Sequence, residues 1–348
     1  MSSEEDIDYS EIQSALESIG QSAALIFGAT LLSQGLGFVT RIIMARYLPV
    51  NGYGNVVIGL SVLNLFGIAA LVGMPSALSR FLPRQETDDD RRNILSSAFQ
   101  IVVIISVLIA TIIFLMAETL AIYVFGNADL VRIIRIFAGI LPFYAMFKLS
   151  LGGFRGYEIT YPKVLIQNVL RPVFQLVGIV IFITVGYGTV GIAFAYAVAF
   201  GIVAIIGLFL LYKISDIEYH NVIKIRSSEQ YRDLLRFSIP LTAAGAIGII
   251  TKHSDLIILE IYKSSTLVGL YEVTFRMAIF VHLFFTLAIG YLFQPIVSRL
   301  DSGKNYKLFS RSLQDGWLLR HSPFLLYFSY FQANQLHSFL EKNIKARN

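Results

Sequence analysis

Four groups of ionisable side chains stand inside runs of apolar residues. Arg41 is followed by Ile42, Ile43 and Met44 within FVTRIIMARYLPVNGYG, Phe38 to Gly54, and Arg46 comes five residues later. Arg171 sits inside a later apolar stretch, just before Pro172. Lys252, His253 and Asp255 interrupt another, and Glu272 and Arg276 share one helical face of the next at i, i+4. An unpaired ion is expensive in hydrocarbon or dry protein, so Arg41 is expected to face a bundle interior or a wet cavity. There its planar guanidinium can hold two oxygens of an anion at once. Several cations with few acids favour a phosphate-bearing ligand. The candidate cavity residues are Arg41, Lys252 and Arg276. Asp255 is either their counter-ion or a proton or sodium site. Glu272 is either a counter-ion or half of a structural pair with Arg276. Arg46, Lys252 and Lys263 can alternatively snorkel to headgroups, and Arg171 can alternatively meet inner-leaflet phosphate.

Other chemistries find no residues to carry them. Cysteine is absent, which removes disulfides, thiolate catalysis and cysteine-ligated metals. The five histidines, His220, His253, His282, His321 and His337, lack metal-ligand spacing, so no metal or cofactor is expected. No phosphate-binding loop occurs, and Gly186, Gly188 and Gly191 fall in a short interhelical loop rather than after a strand. Asp88 to Asp90, flanked by Arg84, Arg91 and Arg92, reads as a solvated turn.

The elements that must position the cations are membrane helices. Of 348 residues, 55% are hydrophobic and 15% charged, where a soluble domain carries about a quarter charged. The net charge of +5 matters less than its distribution, and no nucleic acid is expected as a partner. Candidate spans are 23–48, 55–79, 94–117, 130–151, 162–185, 190–212, 237–260 and 268–293. A short amphipathic helix with a capping box at Ser10 to Gln13 is expected before the first. Breaks are expected at Pro49–Gly54, Arg84–Arg92, Gly126–Asp129, Gly152–Glu158 and Gly186–Gly188. Residues 312–348 form an atypical tail, with a ninth helix left open.

Bases alternate between the two sides. One side collects Arg80, Arg84, Arg91, Arg92, Lys148, Arg155 and Lys163, then Lys213, Lys224, Arg226, Arg232 and Arg236, and finally Arg299, Lys304, Lys307 and Arg311. The other has only Arg41, Arg46, Arg132, Arg135, Lys252 and Lys263. The richer side is expected to be cytoplasmic, which puts the N-terminus inside a multi-pass cell-membrane protein.

Phe38 to Gly54 resembles the first-helix signature of the polysaccharide and O-antigen flippases of the MOP exporter superfamily. The matching residues are Arg41, Ala45, Arg46, Leu48, Tyr53 and Gly54, with Pro49 where the family often has glycine. Gly73 and Pro75, in LVGMPSALSRFLPR, resemble the second-helix end. KHSDLIILE resembles the seventh-helix segment with Asp255 at its acid, and Gly269, Tyr271 and Arg276 resemble the start of the eighth. The resemblance runs from about Ser22 to Leu308. It implies an all-α, two-lobed transporter working by alternating access, with Arg41 in a cationic cavity for a lipid pyrophosphate. The domains expected are a six-helix lobe over 1–212, an interlobe connection over 213–236, the start of a second lobe over 237–311, and the tail. Against the family's usual two lobes, the second is expected to be incomplete, through a truncated or frameshifted gene or with a partner chain supplying the missing helices. The function implied is the flipping of a polyprenyl-linked oligosaccharide to the outer leaflet, with membrane lipids and the lipid-linked glycan as partners. The alternatives are an ion-coupled small-molecule exporter of the same superfamily, a non-functional remnant, and a membrane glycan polymerase or ligase.

Overall fold

The computed structural model describes residues 9–215 and 228–279, with residues 9–24, 228–231, 233 and 252 described by their backbone alone. Residues 216–227 of the expected interlobe connection, the expected eighth span beyond 279 and the tail lie outside the described residues. The chain divides into two units, Met1–Met277 and Ala278–Asn348, and the bundle with its cavity belongs to the first.

Helices account for nearly all of the described residues. They are α1 (Tyr9–Tyr47), α2 (Val50–Leu71), α3 (Met74–Phe81), α4 (Asp88–Thr119), α5 (Leu130–Gly156), α6 (Thr160–Val164), α7 (Arg171–Thr184), α8 (Gly188–Ser215) and α9 (Ser228–Tyr262), followed by α10 over 265–279. Among the described residues, seven stretches are long and apolar enough to cross a membrane, the last being Leu234–Thr251 within α9. Along α4, Ile104, Leu108 and Leu115 are 67%, 58% and 74% exposed. A large apolar stripe of this kind, left uncovered, faces lipid rather than water. The protein is an all-α multi-pass membrane bundle.

Helix α5 is the central post, packing against α2, α3, α4 and α8. Its Phe137, Phe147 and Phe154 are almost wholly buried, and Tyr144 meets Phe200 of α8 edge-on at 5.3 Å. Small residues let the other helices close on it. A Cβ on Gly152 would fall 2.5 Å from the Pro75 Cα of α3, and one on Gly67 would fall 2.6 Å from the Tyr144 ring.

Several expected boundaries move. The predicted amphipathic helix and first span fuse into the single α1. The break after α1 is confined to Leu48 and Pro49, and Gly52, Tyr53 and Gly54 lie in the first turns of α2. These glycines serve close packing rather than a turn. The helix likewise runs through Gly152 and Gly153 to Gly156, because both glycines face neighbours that would exclude a side chain. Asp88–Asp90 form the solvated first turn of α4. Thr87 caps it, accepting from the Asp90 N–H at 3.2 Å while its hydroxyl donates to Asp90 Oδ2 at 2.6 Å. Val72 and Gly73 both take left-handed backbone, φ 44° and 65°, between α2 and α3. At Gly73 a Cβ would also fall 2.5 Å from the Ser238 carbonyl oxygen of α9.

Candidate functional site

A cavity of about 250 Å³ opens among α1, α2, α5, α7, α8, α9 and α10. Its charged lining is Arg41, Lys148, Arg171, Arg276 and Glu272, with His253 beside them. Among the described residues, four cations therefore meet one carboxylate.

Each cation is held by its own helix. Arg41 Nη1 donates to the Gly37 carbonyl one turn back at 3.1 Å. Glycine suits that place, since a Cβ there would lie 3.3 Å from the same nitrogen. Arg171 follows a π-helical turn, Leu165–Leu170, and its Nε donates to the Gln167 carbonyl at 3.4 Å. Pro172 has no N–H to donate into a regular ladder, and the wide turn absorbs that loss. Lys148 lies with Nζ 5.5 Å from the Tyr144 ring centre and 5.7 Å from that of Phe147. Ring faces at this range stabilise a desolvated ammonium.

Glu272 organises two of the cations. Its Oε1 accepts from Arg276 Nε at 2.6 Å and stands 3.9 Å from Arg41 Nε. The Glu272 side chain is 6% exposed, and its Oε2 is buried without a hydrogen-bond partner among the described residues. The carboxylate therefore engages them through only one of its two oxygens. Neutral groups complete the wall: Gln34, Asn64 and Gln175 with Tyr53, Tyr144 and Tyr196. Ser61 Oγ lies 3.4 Å from His253 Nδ1, with roles that depend on the tautomer.

Of the residues singled out from sequence, Arg41, Arg276, Glu272 and Tyr53 come together here. Asp255 is not in the cavity lining; its Oδ2 accepts from the Tyr271 hydroxyl at 2.7 Å. Arg46 is exposed in the last turn of α1, where a cation complements the helix C-terminus. The side chain of Lys252 lies outside the described residues. Gly54, Gly269, Gly73 and Pro75 are packing positions. Arg171, another of the deep charges, lines the cavity as well, and so does Lys148 from inside α5, although the sequence places it only among the bases of the richer side. Among the described residues no cluster of His, Cys, Asp or Glu could hold a metal ion.

Fold and site together define a multi-pass helical membrane protein with a polar, mostly cationic central cavity. Residues 19–301 match the family described as Polysaccharide biosynthesis protein, and the chain belongs to that family. It is 22% identical over 236 residues to Stage V sporulation protein B of Bacillus subtilis (strain 168), across 64% of this chain and 45% of that protein. The chain thus spans less than half the length of this curated relative. Two solved structures share the fold at 16% identity. One is a MOP superfamily transporter from Pyrococcus furiosus, described as having a binding pocket of reversed polarity that suggests a different function. It aligns with a TM-score of 0.54 over 82% of this chain and 75% of that one. The other is an outward-facing multidrug resistance MATE family transporter of the MOP superfamily, with a TM-score of 0.53 over 73% of this chain and 64% of that one. The described helices therefore have the fold of MOP superfamily transporters.

Proposed function

We propose that this chain takes part in moving a polyprenyl-linked glycan between bilayer leaflets, and that the cavity holds the phosphate or diphosphate joining lipid to sugar. The observation that carries this reading is the convergence of Arg41, Lys148, Arg171 and Arg276 on one cavity, where Glu272 is the only carboxylate among the described residues. A site for cationic drugs would need the opposite balance of charge. The step involves no covalent chemistry. A sugar-phosphate head group crossing hydrocarbon loses its hydration, and a wall of fixed donors replaces part of it.

Glu272 fits this reading as an internal stand-in for the anion. Before the ligand arrives it partly neutralises Arg41 and Arg276. An incoming phosphate oxygen competes for the same guanidinium groups, and of the two Arg41, on α1, is the weakly held one at 3.9 Å. The amides of Gln34 and Gln175 and the ring faces nearby suit hydroxyl-rich sugar. At about 250 Å³ the cavity is close to the lower limit of roughly 300 Å³ for small-molecule sites. It accommodates the charged linkage and adjacent atoms, not a whole oligosaccharide.

The test is ligand choice. The purified 348-residue chain in detergent is titrated by calorimetry with farnesyl diphosphate, farnesol and tetraphenylphosphonium. Binding of the diphosphate over both others is expected. Preferential binding of the phosphonium cation would contradict the reading and favour an exporter of cationic compounds.

A further inference from the structure

Away from the cavity, a second buried polar cluster joins three distant segments. Asn127, in the loop before α5, points its side-chain nitrogen at three oxygens: Ser265 Oγ at 2.7 Å, Asn55 Oδ1 at 3.1 Å and Glu260 Oε1 at 3.2 Å. The amide is oriented by its own oxygen, which accepts from the Asp129 N–H at 3.1 Å. The Ser265 hydroxyl also donates to Glu260 Oε1. Asn55, Glu260 and Ser265 are 4%, 2% and 4% exposed. Among the described residues, Glu260 Oε2 is buried with no hydrogen-bond partner, and no cationic nitrogen forms an ion pair with Glu260.

All four residues lie at one end of the bundle, where α1 turns into α2, α4 into α5 and α9 into α10. The same end is packed backbone on backbone. A Cβ on Gly54 would collide with the Ser265 carbonyl oxygen, and one on Gly269 would fall 2.6 Å from the Val50 carbonyl oxygen. Surfaces without protruding side chains can part and rejoin without repacking. A buried carboxylate that has left half its acceptor capacity unmet recovers hydration when they part. The contact is thus specific, through one amide shared by three acceptors, yet not deeply stabilised.

We propose that Asn55, Asn127, Glu260 and Ser265 form a latch that closes this end of the bundle and releases as a unit. Its place in a transport cycle rests on the function proposed above; the latch itself involves no cavity residue. When it opens, Glu260 and Ser265 stay with the α9–α10 hairpin, while Asn55 and Asn127 stay with the helices around α5.

The absence of cysteine makes a direct test possible. Val268, one turn beyond Ser265 and fully buried, is changed to Cys as a reporter in the full chain, and its modification by a polar maleimide is timed in detergent. Asn127→Asp sets a carboxylate against Glu260 and is expected to speed modification by ~10-fold, the scale of one lost charge-assisted hydrogen bond. Adding Glu260→Gln exchanges donor and acceptor and is expected to bring the rate back to within ~3-fold of the reporter alone. An unchanged rate in Asn127→Asp, or a double variant as fast as the single one, would overturn the latch. If Asn127→Asp does not fold, Asn127→Ala and Ser265→Ala replace it. Their accelerations are expected to be strongly non-additive, and simple additivity would overturn the latch equally. Farnesyl diphosphate titration of the same samples reports the cavity separately, so failure of one reading is distinguishable from failure of the other.

Discussion

Arg276 donates to Glu272 Oε1 at 2.6 Å, while Arg41 stands 3.9 Å from the same oxygen on the facing helix α1. The unequal distances mean that Arg276 is committed to the carboxylate and Arg41 is the cation available for exchange. Glu272→Gln removes the competing charge while keeping an acceptor of similar shape. Farnesyl diphosphate is therefore expected to bind the variant ~10-fold more tightly, on the scale of hydrogen bonds to charged groups. Weaker binding in Glu272→Gln, measured by calorimetry, would show that the carboxylate positions the arginines rather than competing for them.

Two glycines of like helical setting are expected to respond oppositely to alanine. Gly54 faces the Ser265 carbonyl, backbone that cannot rotate away, so Gly54→Ala is expected to destabilise by about 1–3 kcal/mol through overpacking. Among the described residues, Gly28 of α1 has nothing within 4 Å of where a Cβ would stand. Gly28→Ala is expected to be neutral or to stabilise by up to about 1 kcal/mol through helix propensity. Thermal unfolding in detergent compares them, and equal shifts would remove the steric account of the signature glycine.

Legibility in the sequence follows the kind of signal each residue gives. Arg41 is visible because a guanidinium in an apolar run is costly wherever it points, and Glu272 and Arg276 are visible through their i, i+4 spacing. The course of the membrane helices follows from apolar length, and the seven stretches found correspond to the first seven expected. Lys148 gives an ambiguous signal: it lies inside the expected span 130–151 but close to Gly152 and Gly153, which read as a loop, whereas they are helical glycines packed against Pro75 and Leu211. The pairing of Asn127 with Asn55, Glu260 and Ser265 leaves no local signal. Its members are 72, 133 and 138 residues from Asn127, and neutral amides look like any surface polar residue.

The Thr87 cap offers a change that should touch stability alone. Thr87→Ala removes both the bond from the Asp90 N–H and the bond to its carboxylate. A loss of about 1 kcal/mol is expected, with diphosphate affinity unchanged because α4 contributes nothing to the cavity lining. A parallel loss of affinity would mean that the entry to α4 is coupled to the site.

The asymmetry of bases predicts sidedness. A single cysteine at Arg91, in the first turns of α4, should resist an impermeant maleimide applied to intact cells. One at Asp129, at the opposite end of the same hairpin, should react. The reverse pattern would invert the proposed orientation and place the latch on the cytoplasmic side.

The central claim is that the cavity grips a phosphate-bearing group through Arg41. The most direct measurement is the affinity of the purified chain for farnesyl diphosphate with Arg41 intact, as lysine and as alanine. A lysine keeps the charge but not the two-oxygen fork. Affinity is expected to fall in that order, with Arg41→Ala at least ~10-fold below the parent chain, the scale of a lost hydrogen bond to a charged group. Equal affinity in all three proteins, with thermal stability unchanged, would contradict the account.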